Sequence, residues 1–251
     1  MSEYTALLNN LEELKLLQIK DNLDDYIDMI TNGGKTVVDA LYELSELEIK
    51  LKEEKAIHAC VRVANFPFIK TLDDFDFSFQ PSINQDKMRD LTTLRFLEKT
   101  ENILFLGNSG VGKTHLAVAI GVAAAKKRKS TYFINCHELL LNLKKAKQEN
   151  RLETRLKHYA KYRLLIIDEI GFLPIDQEES NMFFQLINRR YEKSSTIITT
   201  NKEFSKWGEV FGDATIANAI LDRLLHHSRV EKITGRSYRI KDKIITNNPK
   251  W

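Results

Sequence analysis

Ile103-Leu104-Phe105-Leu106-Gly107-Asn108-Ser109-Gly110-Val111-Gly112-Lys113-Thr114-His115 decides how the rest of this 251-residue chain is read. Residues 103–106 are an unbroken apolar run, which predicts a short buried strand, and His115 to Ala125 predicts a helix. Between them, residues 107–114 satisfy the spacing G-x-x-x-x-G-K-[ST]. The glycines let the backbone curl so that successive N–H groups and the helix N-terminus point at phosphate oxygens. Lys113 adds a mobile cation near the terminal phosphates, and the Thr114 hydroxyl is suited to Mg²⁺. Gly107, Asn108, Ser109, Gly110, Val111, Gly112, Lys113 and Thr114 are therefore read as the cradle of a nucleoside triphosphate.

Downstream, apolar runs at 131–134, 164–167 and 196–199 predict strands, separated by predicted helices at 137–161 (broken near Asn150), 178–192 and 214–226. Strands that are apolar throughout and alternate with helices predict an α/β fold with a parallel sheet covered on both faces. Asp168-Glu169 ends the strand Leu164-Leu165-Ile166-Ile167, at the sheet edge where ligands gather. Asp168 is suited to hold Mg²⁺ through its water shell, and Glu169 to orient and polarise the water that attacks the γ-phosphate. After the strand Thr196-Ile197-Ile198-Thr199, Asn201-Lys202-Glu203-Phe204 fails the guanine-selecting N-K-x-D pattern at its fourth position. Guanine specificity is thus not expected, and the Asn201 amide is placed to contact the γ-phosphate or the attacking water, or to form a turn.

Upstream, Leu7, Leu11, Leu14 and Leu17 recur at helical steps, as do Leu41, Leu44, Leu47 and Leu51 after Asn32-Gly33-Gly34. They predict a helical domain over 1–65, whose leucines either close a local core or dock a partner. A second domain over 66–251 follows, in which 66–100 is a linker and first helix (84–98), with Phe66, Phe68, Phe75, Phe77 and Phe79 packing on its surface. Residues 1–100 carry a net charge of −7 and residues 101–251 of +10, so an anionic partner is expected for the second part. Cys60 and Cys136 stand alone in apolar surroundings, which predicts core thiols and excludes a disulfide framework. No apolar run of about 18 residues and no leader-type N-terminus occurs, so no membrane role is expected and the protein is assigned to the cytoplasm.

GNSGVGKTHLA, LLIIDEIGF, TTN and LDRLLHHSRVEKITGRSYR, in this order, resemble the IstB/DnaC branch of AAA+ ATPases, nearest to IstB-type helpers of insertion-sequence transposition. LEELKLLQI and ANFPFIKTLDDFDF extend the likeness over nearly the whole chain. The resemblance implies ATP and Mg²⁺ as ligands and a sheet ordered five, one, four, three, two. It also implies Asn201 as the sensor after strand four, Arg223 as a finger given to a neighbour's ATP, and Arg239 as a second nucleotide-sensing arginine. From the residues alone, Asp222-Arg223 in an apolar helix is read first as a local ion pair. Residues 142–163 hold eight Lys and Arg against two Glu, and Lys144, Lys147, Arg151 and Arg155 form one basic stripe if the helix runs through. By resemblance this is the element that contacts nucleic acid, with Lys144, Lys145, Lys147, Arg151 and Arg155 as candidate DNA contacts. The partners so implied are duplex DNA without strong sequence preference, the transposase of the same element, and further copies of the chain across ATP-bridged interfaces. Two other readings are a loader of the replicative helicase and a non-hydrolysing DNA-binding interaction protein.

Overall fold

A computed structural model describes residues 2–240, so residues 241–251 of the expected second domain lie outside it. The chain divides into two compact units after Ala59, a border that falls inside a long helix. The first unit consists of α1 (Glu3–Glu13), α2 (Leu17–Thr31) and α3 (Val37–Val63), the last crossing the border. Ser2 caps α1 by accepting the Thr5 N–H at 3.2 Å. Buried Glu48 of α3 accepts the Gln18 N–H at 2.8 Å, placing a carboxylate on the open first turn of α2. Of the eight leucines in the helical pattern only Leu11 and Leu44 are buried, whereas Leu7, Leu14, Leu17 and Leu41 are exposed. The pattern therefore closes a small core and leaves an apolar remainder on the surface.

The second unit runs α4 (Gln85–Thr92), α5 (Arg95–Glu98), β1 (Asn102–Gly107), α6 (Lys113–Lys126), β2 (Thr131–Asn135), α7 (Cys136–Gln148) and α8 (Leu152–Ala160). It continues with β3 (Leu164–Ile170), α9 (Gln177–Arg190), β4 (Ser195–Thr200), α10 (Trp207–Val210), α11 (Ala214–Leu225) and β5 (Ser228–Ile233). All strand pairings are parallel, and the order β2-β3-β4-β1-β5 is the expected five, one, four, three, two read from the other edge. Side chains alternate between the faces. Ile103, Phe105, Phe133, Ile166 and Ile197 join one core with α4, α5 and α6, while Leu104, Ile134, Leu165, Ile167 and Ile198 join another with α7, α8, α9 and α11. This two-sided burial is why the strands read as unbroken apolar runs.

Three expectations need correction. The helix expected over 84–98 breaks at Thr93-Leu94, where Leu94 takes φ +70° so that Phe96 and Leu97 can still reach the core. The four strands expected from apolar runs become five: β5, implied only by the resemblance, lies at the sheet edge, half-exposed and rich in charge, and so carries no unbroken apolar run. Cys136 is buried, its thiol pKa pushed up to about 12 by desolvation, but Cys60 is only half-buried. In the linker, Phe66, Phe75 and Phe77 do pack against the α6 side of the core, whereas Phe68 is exposed.

Arg190, at the end of α9, is 2% exposed and locks the second unit from inside. It donates to the carbonyls of Tyr159 (3.0 Å), Tyr162 (2.8 Å) and Ser195 (2.5 Å) and to Thr196 Oγ1 (3.0 Å), joining the end of α8 to the start of β4. Arg190→Met keeps much of the volume but leaves these acceptors unpaired, so urea unfolding should show a loss of about 4 kcal/mol or more, four stranded groups at about 1–3 each. A loss below about 1 kcal/mol, the level of a surface interaction, would contradict this role.

Candidate functional site

The loop between β1 and α6 forms the floor of a cleft at the C-terminal edge of the sheet. Gly110 (φ +80°) and Gly112 (φ +99°) occupy left-handed conformations that other residues avoid. A Cβ at Gly110 would strike Ser237, and one at Gly112 would strike the Phe75 ring, so both neighbours close on the loop because no side chain stands there. The loop ends at the start of α6, whose open N–H groups and dipole favour an anion. Lys113 Nζ donates to the Gly107 and Asn108 carbonyls at 2.7 Å each. Burial holds its pKa below the usual lysine range and the nearby Arg239 adds to this, while Asp168 and Glu169 oppose it.

Thr114 Oγ1 lies 3.0 and 3.1 Å from the two Asp168 carboxylate oxygens, and Thr199 Oγ1 donates to Asp168 at 2.5 Å. Asp168 is 5% exposed, and desolvation raises its pKa against the lowering effect of those two hydroxyls. A buried carboxylate beside a hydroxyl, with oxygen donors only, fits a hard divalent cation such as Mg²⁺. The next residue, Glu169, is exposed with φ +63°, and the β3–β4 register shifts between Ile167 and Ile170. Asp168 is thus buried while Glu169 is exposed to the cleft. The Glu169 N–H donates to Thr199 Oγ1 at 2.9 Å, and its carboxylate accepts the Asn135 amide at 2.8 Å.

Asn201 follows β4 and lines the cleft with Thr199 and Thr200. Arg239 lines it too, because the segment after β5 folds over the loop and the Tyr238 N–H donates to the Gly110 carbonyl at 2.9 Å. Opposite lies a more apolar wall. The His115 ring meets Phe75 edge-on at 5.1 Å and Phe68 at 6.3 Å, and burial lowers the His115 pKa.

Sequence reasoning missed Asn135, Thr199, Phe75 and His115. Asn135 and Thr199 stand at the C-terminal ends of strands, which was a signal for both; Phe75 was read only as packing, and nothing distinguished His115.

Arg223 lies outside this cleft. It donates to Asn188 Oδ1 at 2.8 Å and to the Ala219 carbonyl at 3.0 Å, and its guanidinium sits 4.8 Å over the Phe184 ring. Among the described residues these, rather than Asp222, are its partners. The break expected near Asn150 is present: Asn150 takes φ +55° between α7 and α8, so the helix does not run through residues 142–163 and the condition for one stripe of Lys144, Lys147, Arg151 and Arg155 is not met. Lys144 pairs with Asp176 at 2.9 Å, Lys147 with Glu178, and Arg151 with Glu149. Lys145 and Arg155 are not in that set. The local charge is thereby partly offset by the acidic start of α9, which spacing along the chain did not reveal.

A family profile described as IstB-like ATP binding protein matches residues 9–246. A Bacillus thuringiensis subsp. berliner protein named for ATP binding in insertion sequence IS232 is 58% identical over 247 residues, 98% of this chain and 99% of that protein. A Pseudomonas aeruginosa protein named for ATP binding in insertion sequence IS21 is 43% identical over 252 residues, 99% of this chain and 94% of that protein. The crystal structure of the DnaC helicase loader has the same fold, with a TM-score of 0.51 at 23% identity over 59% of this chain and 87% of that one. No helix among the described residues is long and apolar enough to cross a membrane.

Proposed function

The chain belongs to the IstB-like ATP-binding protein family, and from that premise we propose that it hydrolyses ATP, assembles through ATP-bridged interfaces on duplex DNA, and stimulates the transposase of its insertion sequence. The observation that carries the reading is the convergence of Lys113, the Thr114–Asp168 pair and Glu169 at one edge of the sheet. The loop N–H groups and Lys113 bind the phosphates, Lys113 leaving its carbonyl partners to do so. Thr114 and Asp168 would hold Mg²⁺, which supplies charge neutralisation at the β- and γ-phosphates. Glu169 orients and polarises the attacking water, Asn201 contacts the γ-phosphate side, and Arg239 contributes positive charge in the same cleft. Arg223, which is absent from its own cleft, acts on the ATP of an adjacent copy. Phosphate release measured with and without duplex DNA tests this reading. Hydrolysis that rises with DNA supports it, and none under either condition favours the non-hydrolysing DNA-binding alternative. Pull-down against the transposase and the replicative helicase separates a transposition helper from a helicase loader.

For DNA, the ion pairs on Lys144, Lys147 and Arg151 shift the expected contribution towards Lys145 and Arg155. Replacing these two with Ala should flatten the plot of log affinity against log salt by roughly 2, at about 0.9 per phosphate contact. Fluorescence anisotropy across a salt series measures this, and an unchanged slope moves the DNA site off this region.

A further inference from the structure

We propose that Glu192, His226 and His227 form a site for a divalent transition metal of the Zn²⁺, Co²⁺ or Ni²⁺ class, separate from the ATP cleft. Their ligand atoms lie within 4.8 Å of one another. His226 Nδ1 and His227 Nε2 each stand 3.7 Å from the same Glu192 oxygen, Oε1. That spacing is too long for a hydrogen bond. It is a few tenths of an ångström above the edge of a tetrahedron around a metal with bonds of ~2.0–2.1 Å, which is roughly 3.3–3.4 Å. Two imidazoles and one carboxylate with coordination positions left for water suit a borderline metal and not Mg²⁺, which takes oxygen donors.

The ligands are held by their backbones. His226 N–H donates to the Asp222 carbonyl at 3.1 Å as α11 ends, and the His227 carbonyl accepts the Asn102 N–H at 2.8 Å from β1. Glu192 takes φ +57° in a turn fixed by the Lys193 and Ser194 N–H groups on the Arg190 carbonyl at 3.0 and 3.1 Å. The two histidine rings are 4.0 Å apart, so both reach the same point. The Tyr191 hydroxyl sits 2.7 Å from His226 Nδ1. With the phenol donating, that nitrogen keeps the lone pair a metal needs, and metal binding displaces the hydrogen bond.

The metal joins the end of α9 to the end of α11. Arg223 crosses the same seam through Asn188, so the bound metal also stiffens the mount of the finger, a consequence that rests on the role proposed for Arg223. The binding itself does not.

The test titrates the untagged full chain with Co²⁺, without nucleotide or Mg²⁺, and follows visible d–d absorption. Saturation at one equivalent per chain is expected, with a rise in Tm on adding Zn²⁺. His227→Ala and Glu192→Gln should each weaken binding at least about 10-fold, the loss seen even for outer-shell partners. Tyr191→Phe keeps all three ligands and should bind at least as tightly as the parent. Should a ligand variant fail to fold, Zn²⁺-dependent shifts of the His226 and His227 ring NMR signals in the parent chain give the same answer. Absence of Co²⁺ absorption, binding unchanged in both ligand variants, or histidine signals that do not respond to Zn²⁺ would each overturn the site.

Discussion

Glu169→Gln is expected to bind ATP as the parent does and to release phosphate roughly 10²–10⁴-fold more slowly, the range of a lost general base. Lys113→Ala, in contrast, is expected to lose ATP binding. Glu169 is exposed in the cleft, away from the loop carbonyls that Lys113 engages. The Gln side-chain oxygen can still accept the Asn135 amide, and the Glu169 N–H bond to Thr199 belongs to the backbone, so the geometry survives. Only the negative charge of the side chain is removed. Lys113 opens α6, where Ala is a good helix former, so its replacement removes the phosphate cation without disturbing the fold. Nucleotide titration by fluorescence and single-turnover phosphate release separate the two effects. Parent-like ATP affinity in Lys113→Ala, or parent-like turnover in Glu169→Gln, would reject the assigned roles.

Arg223→Ala is expected to bind ATP normally yet hydrolyse it about 10³–10⁵-fold more slowly, the range of a missing arginine finger. The finger acts on charge that develops in the transition state and does not build the pocket. Because Arg223 does not line the cleft of its own chain, a finger role requires that it be supplied in trans. Mixing Glu169→Gln, which keeps its finger, with Arg223→Ala, which keeps its carboxylate, should therefore restore activity. In a random head-to-tail assembly about a quarter of interfaces join the two intact groups. Co-assembly that leaves every mixing ratio inactive would show that Arg223 is not a trans finger. Its contacts with Asn188 and Phe184 would then account for it as a packing residue.

Much of the site was written locally in the chain. The loop at 107–114 and the acids at 168–169 sit at strand ends, and a parallel sheet brings the C-terminal ends of its strands to one edge whatever the loops between them do. Unbroken apolar strands announced the two covered faces for the same reason, since each strand must satisfy both cores by itself. The sequence alone therefore determined the α/β class, the glycine-rich loop at 107–114 and the place of Asp168-Glu169 at the same sheet edge. Only the tertiary structure decided which of the remaining charges are spoken for. Nothing in the sequence marks Arg190, yet acceptors from α8 and β4 surround it. Lys144 and Lys147 lie in the basic run at 142–163, and the acids at the start of α9, some thirty residues on, pair with them. Asn135 meets Glu169, and Glu192 meets His226 and His227, across similar separations. Periodicity reports the face on which a residue lies. A partner's position depends on how helices and strands from distant parts of the chain pack, and that packing is set by the summed burial of both cores.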